Sequence, residues 1–189
     1  MTGHREIKKL MTRRAISQAA IALFMRDGYD AVTVADVAKK AMVAVTTLFT
    51  YFPDGKDALI FELDEDRPEA LATAVRERAP GTTVMAAIEA FMLARGPFRA
   101  ERRQDWDKVS ALVAATPALR DYVKRKWTRC EDALLTAIAE STGRNADGDL
   151  RALVRYILEA PDIAGAEADP RTALPRVLNR LAAGWGLDV

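Results

Sequence analysis

Between Val45 and Phe52 the sequence reads VTTLFTYF, and four of these eight residues carry a hydroxyl group. Coiled at about 100° per residue, Val45, Leu48, Phe49 and Phe52 fall at i, i+3, i+4 and i+7 on one helical face. Thr46, Thr47, Thr50 and Tyr51 fall on the opposite face, which bears hydroxyl groups and no charge. A helix about two turns long does not hold itself in water. The apolar face is therefore expected to dock it, and the hydroxyl face to lie outward, toward solvent or a partner.

The element before it has its own start signal. Thr33 followed by Asp36 has the spacing of a capping box, with Asp where Glu is more common. Val34, Val37, Ala38 and Ala41 repeat the i, i+3, i+4, i+7 stripe. Two short helices with inward apolar stripes and a turn near Ala41–Val43 describe a helix-turn-helix. In that motif the second helix enters the major groove of DNA. On spacing alone a second reading stands beside it, two small core helices of an all-α protein without a nucleic-acid role.

Charge is distributed unevenly. Residues 1–52 hold eight Lys or Arg against four Asp or Glu, a net of +4, and the remainder is net −3. A basic head on an acidic body suits a polyanion met from one end. Half of the 189 residues are hydrophobic, enough for a substantial core. No run approaches the roughly 18 apolar residues of a membrane span. The charged start MTGHREIKKLMTRR is not followed by a signal-type apolar block. The single cysteine, Cys130, cannot form an internal disulfide, and a soluble cytoplasmic protein is expected.

The chain reads as all-α. A first helix is expected over 5–27, with Ile16, Ala20, Leu23 and Phe24 as its stripe and Gly28 ending it. Arg13 and Arg14 lie off that stripe, placed either for phosphate contact or as solubilising charges. After Pro53-Asp54-Gly55, with Asp54 as cap, a helix is expected from about 56 to 78, its Leu59, Leu63, Ala70 and Val75 buried. Pro68 should kink or break it, as a hinge or as a plain interruption. Further helices are expected over about 83–95, 98–115, 117–141, 150–160 and 170–183, ended or begun by Gly96-Pro97, Thr116-Pro117, Pro161 and Asp169-Pro170.

The run LFMRDGYDAVTVADVAKKA followed by VAVTTLFTYF resembles the N-terminal DNA-binding region of the TetR-type transcriptional repressors. The resemblance rests on Phe24, Gly28, Thr33, Val37–Ala38, Ala41, Val43, Leu48–Phe49, Tyr51–Phe52 and Lys56, and covers roughly residues 8–65. It implies a three-helix DNA-binding head over 1–53 and a helical ligand-binding and dimerisation body over 54–189. Met42 stands where the family has a turn glycine, and a side chain forced to φ > 0 costs on the order of 1 kcal/mol. Ala44 replaces the usual capping Ser or Thr, a loss of about 1 kcal/mol. Val45 replaces a position that is often polar, and FPDGK is one residue longer than usual.

The resemblance implies roles position by position. Thr33 would meet phosphate through its N–H and hydroxyl, and Thr46 and Thr47 would face bases or a thymine methyl. Thr50 and Tyr51 would bond phosphate, and Lys56 would act there as a point charge. With no Arg, Asn or Gln on the reading helix, recognition is expected to rely on phosphate, methyl contact and DNA shape. The last two helices would pair with those of a second subunit on a double-stranded operator.

In the body, Phe91, Met92, Trp106, Val109, Trp127 and Cys130 are the candidates for a pocket taking an apolar or aromatic small molecule; the same residues also read as ordinary core. Together these readings describe a ligand-released repressor. The alternative is a helical interaction protein that kept the fold without sequence-specific DNA binding. No enzyme, metal or cofactor is expected. His4 is the sole histidine, at the terminus, and no His/Cys cluster, nucleophile elbow, Walker or dinucleotide glycine pattern occurs. Asp64, Glu65 and Asp66 are consecutive and diverge around a helix, as a solvated face does.

Overall fold

The computed structural model describes residues 2–61, 66–100 and 106–186, without the side chains at 2, 4, 5 and 106. The side chain of His4, and Leu63, Asp64 and Glu65, lie outside the described residues. Among those described, the regular structure is helical throughout. The chain divides into two compact units, one of residues 1–64 with 107–122, the other of 65–106 with 123–189.

The first unit is built on α1 (Thr2–Asp27), α2 (Val34–Lys40) and α3 (Val45–Tyr51). Gly28 at φ 85° ends α1, a conformation that costs glycine little. The α1 stripe is buried as expected, with Ile16, Ala20, Leu23 and Phe24 packed against Val32, Val37, Ala38, Leu48 and Phe52. A 3₁₀ turn over Gly55–Ala58 follows, and Ala58, Leu59 and Ile60 complete the same core. Val109 of α6 (Trp106–Ala115) and Leu119 and Tyr122 of α7 (Pro117–Thr128) also pack into it. The expected domain boundary at 53/54 thus lies inside this compact unit. Residues 54–60 bury apolar side chains with the head, and composition carries no sign of that.

The second unit holds α4 (Arg67–Arg76), α5 (Val84–Leu93), α8 (Glu131–Thr142), α9 (Gly148–Gly165) and α10 (Pro170–Trp185). Leu71, Ile88, Met92, Leu134, Ile138, Leu153, Ile157, Leu174 and Leu178 form its core. Thr83, Asp147 and Asp169 each accept a helix-start N–H with a side-chain oxygen. Glu131 accepts from Arg151 at 2.7 Å and from Arg155 at 2.9 Å, linking α8 to α9.

Five helix expectations change. The helix expected over 98–115 is α6, beginning at Trp106, and Gly96–Phe98 form a separate 3₁₀ turn. Pro68 begins α4, at N1 or N2, so no kinked helix runs from 56 to 78. Asp54 makes no cap bond; its carboxylate instead accepts from the Tyr122 hydroxyl at 3.1 Å. The helix expected over 117–141 is two helices, α7 and α8, with Cys130 as the N-cap of the second. No Gly or Pro marks that break. Pro161 does not end α9, which runs on to Gly165. Its buried face of Ile157, Leu158, Ala160, Pro161 and Ala164 offsets the backbone bond that proline forfeits.

Candidate nucleic-acid interface

The surface begins at Thr33. Its hydroxyl accepts from the Asp36 N–H at 3.2 Å, while its own N–H and O–H donate to the Asp36 carboxylate at 2.9 and 2.6 Å. This is the capping box that the spacing suggested. These bonds, led by that from the hydroxyl, hold the Asp36 carboxyl below the usual carboxylate range. Both donors expected to meet phosphate are therefore engaged by Asp36.

Ala41 closes α2, and Met42 takes φ 54°, the left-handed value foreseen for a residue in the glycine position of the turn. Met42 is 92% exposed. Val43 donates to the Ala38 carbonyl at 3.0 Å, which fixes the turn. Ala44 caps α3 without a side-chain bond.

Helix α3 is rotated relative to the face drawn from its periodicity. Leu48 and Phe52 are buried, but Val45 is 39% exposed and Phe49 45% exposed. On the helical wheel the docked side centres between Leu48 and Tyr51, and the open side between Phe49 and Thr50. The expectation that Val45 and Phe49 anchor the helix from behind is therefore wrong. Leu48 and Phe52 do so, with Tyr51 partly buried against the same core. Thr46 and Thr50 lie open, Thr47 and Tyr51 at the half-buried margin. The Thr50 hydroxyl donates to the Thr46 carbonyl at 3.0 Å, so its hydrogen is directed back into the helix.

Two cations do unexpected things. A guanidinium nitrogen of Arg13 donates to the Tyr51 carbonyl at 2.9 Å, and the group lies 4.6 Å from the Phe52 ring centroid. It thereby serves one of the orphan carbonyls at the end of α3 and places positive charge at that helix's negative pole. The sequence singled out Arg13 without showing this role, because 38 residues separate it from Tyr51. Lys56 places its ammonium 4.1 Å from the Tyr29 ring centroid and 5.8 Å from that of Phe24. Arg14 lies exposed.

The six effector candidates do not share one core. Phe91, Met92, Trp127 and Cys130 are buried together in the second unit. Val109 belongs to the core of the first, and the side chain of Trp106 lies outside the described residues. The Arg67 guanidinium lies 4.4 Å from the Trp127 ring centroid, a buried cation that no periodicity flagged. Burial pushes the Cys130 thiol up to about 11, and the sulfur contacts the Lys126 carbonyl at 3.5 Å. A concavity of about 310 Å³ elsewhere in this unit is lined by Arg144, Asn145, Asp147, Asp149 and Trp185 among others, and by none of the candidates. Among the described residues no group of His, Cys, Asp and Glu is arranged to hold a metal. No described helix is long and apolar enough to cross a membrane.

A capped short helix, a tight turn and a second short helix with one open side define the class: a helix-turn-helix protein of all-α fold. Residues 16–63 match the family described as bacterial regulatory proteins, tetR family. The HTH-type transcriptional regulator TcmR of Streptomyces glaucescens is 27% identical over 155 residues, covering 79% of this chain and 68% of that one. Two solved structures share the fold. Salmonella enterica GusR has a TM-score of 0.56 at 18% identity, over 91% of this chain and 94% of that one. A TetR-family transcriptional regulator from Streptomyces coelicolor has a TM-score of 0.53 at 21% identity, over 93% of this chain and 98% of that one. Residues 16–63 are thus similar to the DNA-binding region of that family, and the likenesses in sequence support a ligand-responsive transcriptional regulator. The alternative, an interaction protein that gave up specific DNA binding, is not favoured.

Proposed function

We propose that this regulator is a cytoplasmic repressor that binds a double-stranded operator as a homodimer and leaves it when a small apolar or aromatic effector binds. The observation that carries the reading is the open side of α3, where Thr46 and Thr50 lie exposed in the second helix of a helix-turn-helix. Thr47 and Tyr51 at its margin supply further contacts, and the net charge of +4 over residues 1–52 supplies attraction to phosphate. Thr33 and Lys56 join as phosphate contacts once the duplex competes with Asp36 and the aromatic rings for them. Function divides the chain at 53/54, into DNA-binding and effector-dimerisation parts.

The effector reading is supported by Phe91, Met92, Trp127 and Cys130, buried together in the second unit. Linkage requires that an effector which weakens operator binding is itself bound less tightly by the operator complex. The dimer reading is supported by Tyr156 and Ile163 of α9, which are 56% and 54% exposed.

The test is a titration of the duplex beside the protein's own coding region, at several salt concentrations. Sequence-specific binding that weakens steadily with salt is expected, with a loss of severalfold in Thr46→Ala, Thr47→Ala and Tyr51→Phe. Equal affinity for that duplex and unrelated DNA, or unchanged affinity in all three variants, would overturn the proposal.

A further inference from the structure

We infer that the open side of α3 reads thymine, taking C5-methyl groups of the major groove against Val45, Phe49 and the methyl of Thr46; this rests on the operator-binding reading above. The starting observation is the placement of apolar side chains. Val45 and Phe49 are 39% and 45% exposed, although periodicity groups them with the buried Leu48 and Phe52. Met42, 92% exposed in the adjoining turn, extends the same apolar character. A patch of this kind on a small helical unit marks a contact surface.

Charge decides what it contacts. Lys39 and Lys40 lie exposed in the last turn of α2, three and two residues from Met42 in the chain, and residues 1–52 are net +4. An apolar protein partner has no use for that charge, whereas a duplex does. Within the major groove the apolar group on offer is the thymine methyl. Hydrogen-bond readout from the open side is limited to hydroxyls, and that of Thr50 already donates to the Thr46 carbonyl. No Arg, Asn, Gln or Lys stands on α3 to read guanine or adenine with paired bonds. Methyl contact is what this surface is chemically equipped to make.

The experiment uses the full chain and DNA chemistry. The preferred duplex is selected from a random pool and titrated at fixed salt. Each thymine is then replaced in turn by deoxyuridine, which keeps the pairing edge and the O4 acceptor and lacks only the methyl. Binding about fourfold weaker for each contacted methyl is expected. With Phe49→Ala or Val45→Ala, the thymine and deoxyuridine forms of the contacted position should bind alike; the exposed position of Val45 makes its variant the safer for folding. A selected duplex that binds equally well with every thymine replaced would overturn the inference and leave operator binding intact. Failure to select any duplex would overturn the operator reading and this inference with it.

Discussion

Thr33 and Asp36 engage each other through three hydrogen bonds at the start of α2, all of them exposed. Because those bonds favour the ionised carboxyl, Asp36 titrates below its unfolded value. The stabilisation is present in full above the ordinary carboxylate range, near 4, and is lost as pH falls through the depressed value. Asp36→Asn should lower the melting temperature near neutral pH, and the gap from wild type should close as pH falls through the depressed value. Thermal unfolding of both proteins across that range is the check; a gap independent of pH would sink it. This pair was legible in the sequence because a cap is local, three residues from acceptor to donor. The Met42 conformation was legible for the same reason. Lys56 was not, since its cation–π partner Tyr29 is remote in the chain and only the folded head brings the two together.

Helix α3 has no side-chain cap at its start and no basic residue in its last turn. Seven residues with those deficits need outside support, and Leu48, Phe52 and the Arg13 guanidinium provide it. Arg13→Met, which keeps bulk and removes the bond and the charge, should weaken specific DNA binding on the order of tenfold. The slope of log affinity against log salt should not change, because the charge serves a carbonyl and not a phosphate. A slope shallower by about 0.9 would show instead that Arg13 neutralises a phosphate. Existence and type of most helices could be read from the sequence, their facing less well. A wheel drawn on Val45, Leu48, Phe49 and Phe52 grouped four apolar residues, yet the head core admits two of them. The α7–α8 break at Cys130 was hidden because it needs neither glycine nor proline, its N-cap sitting in an ordinary right-handed conformation.

Each compact unit has a core of its own, and that division explains why the effector candidates were only partly legible. Large apolar residues at helical spacing announce burial, but not which core receives them: Val109 went to one and Trp127 to the other. The proposed pairing of subunits through α9 and α10 leads to a direct expectation. Ile163→Asp combined with Tyr156→Asp should convert a dimer to a monomer in sedimentation velocity while leaving the helical circular dichroism unchanged. Sedimentation of the double variant as an unaltered dimer would exclude that face. Cys130 brings a practical consequence of a different kind. Its thiol is enclosed and stays protonated at neutral pH, so thiolate-seeking reagents have no native target in the folded chain. A cysteine introduced on the surface can therefore carry a fluorophore or spin label alone, and the motions of this regulator can be followed spectroscopically without first removing the native residue.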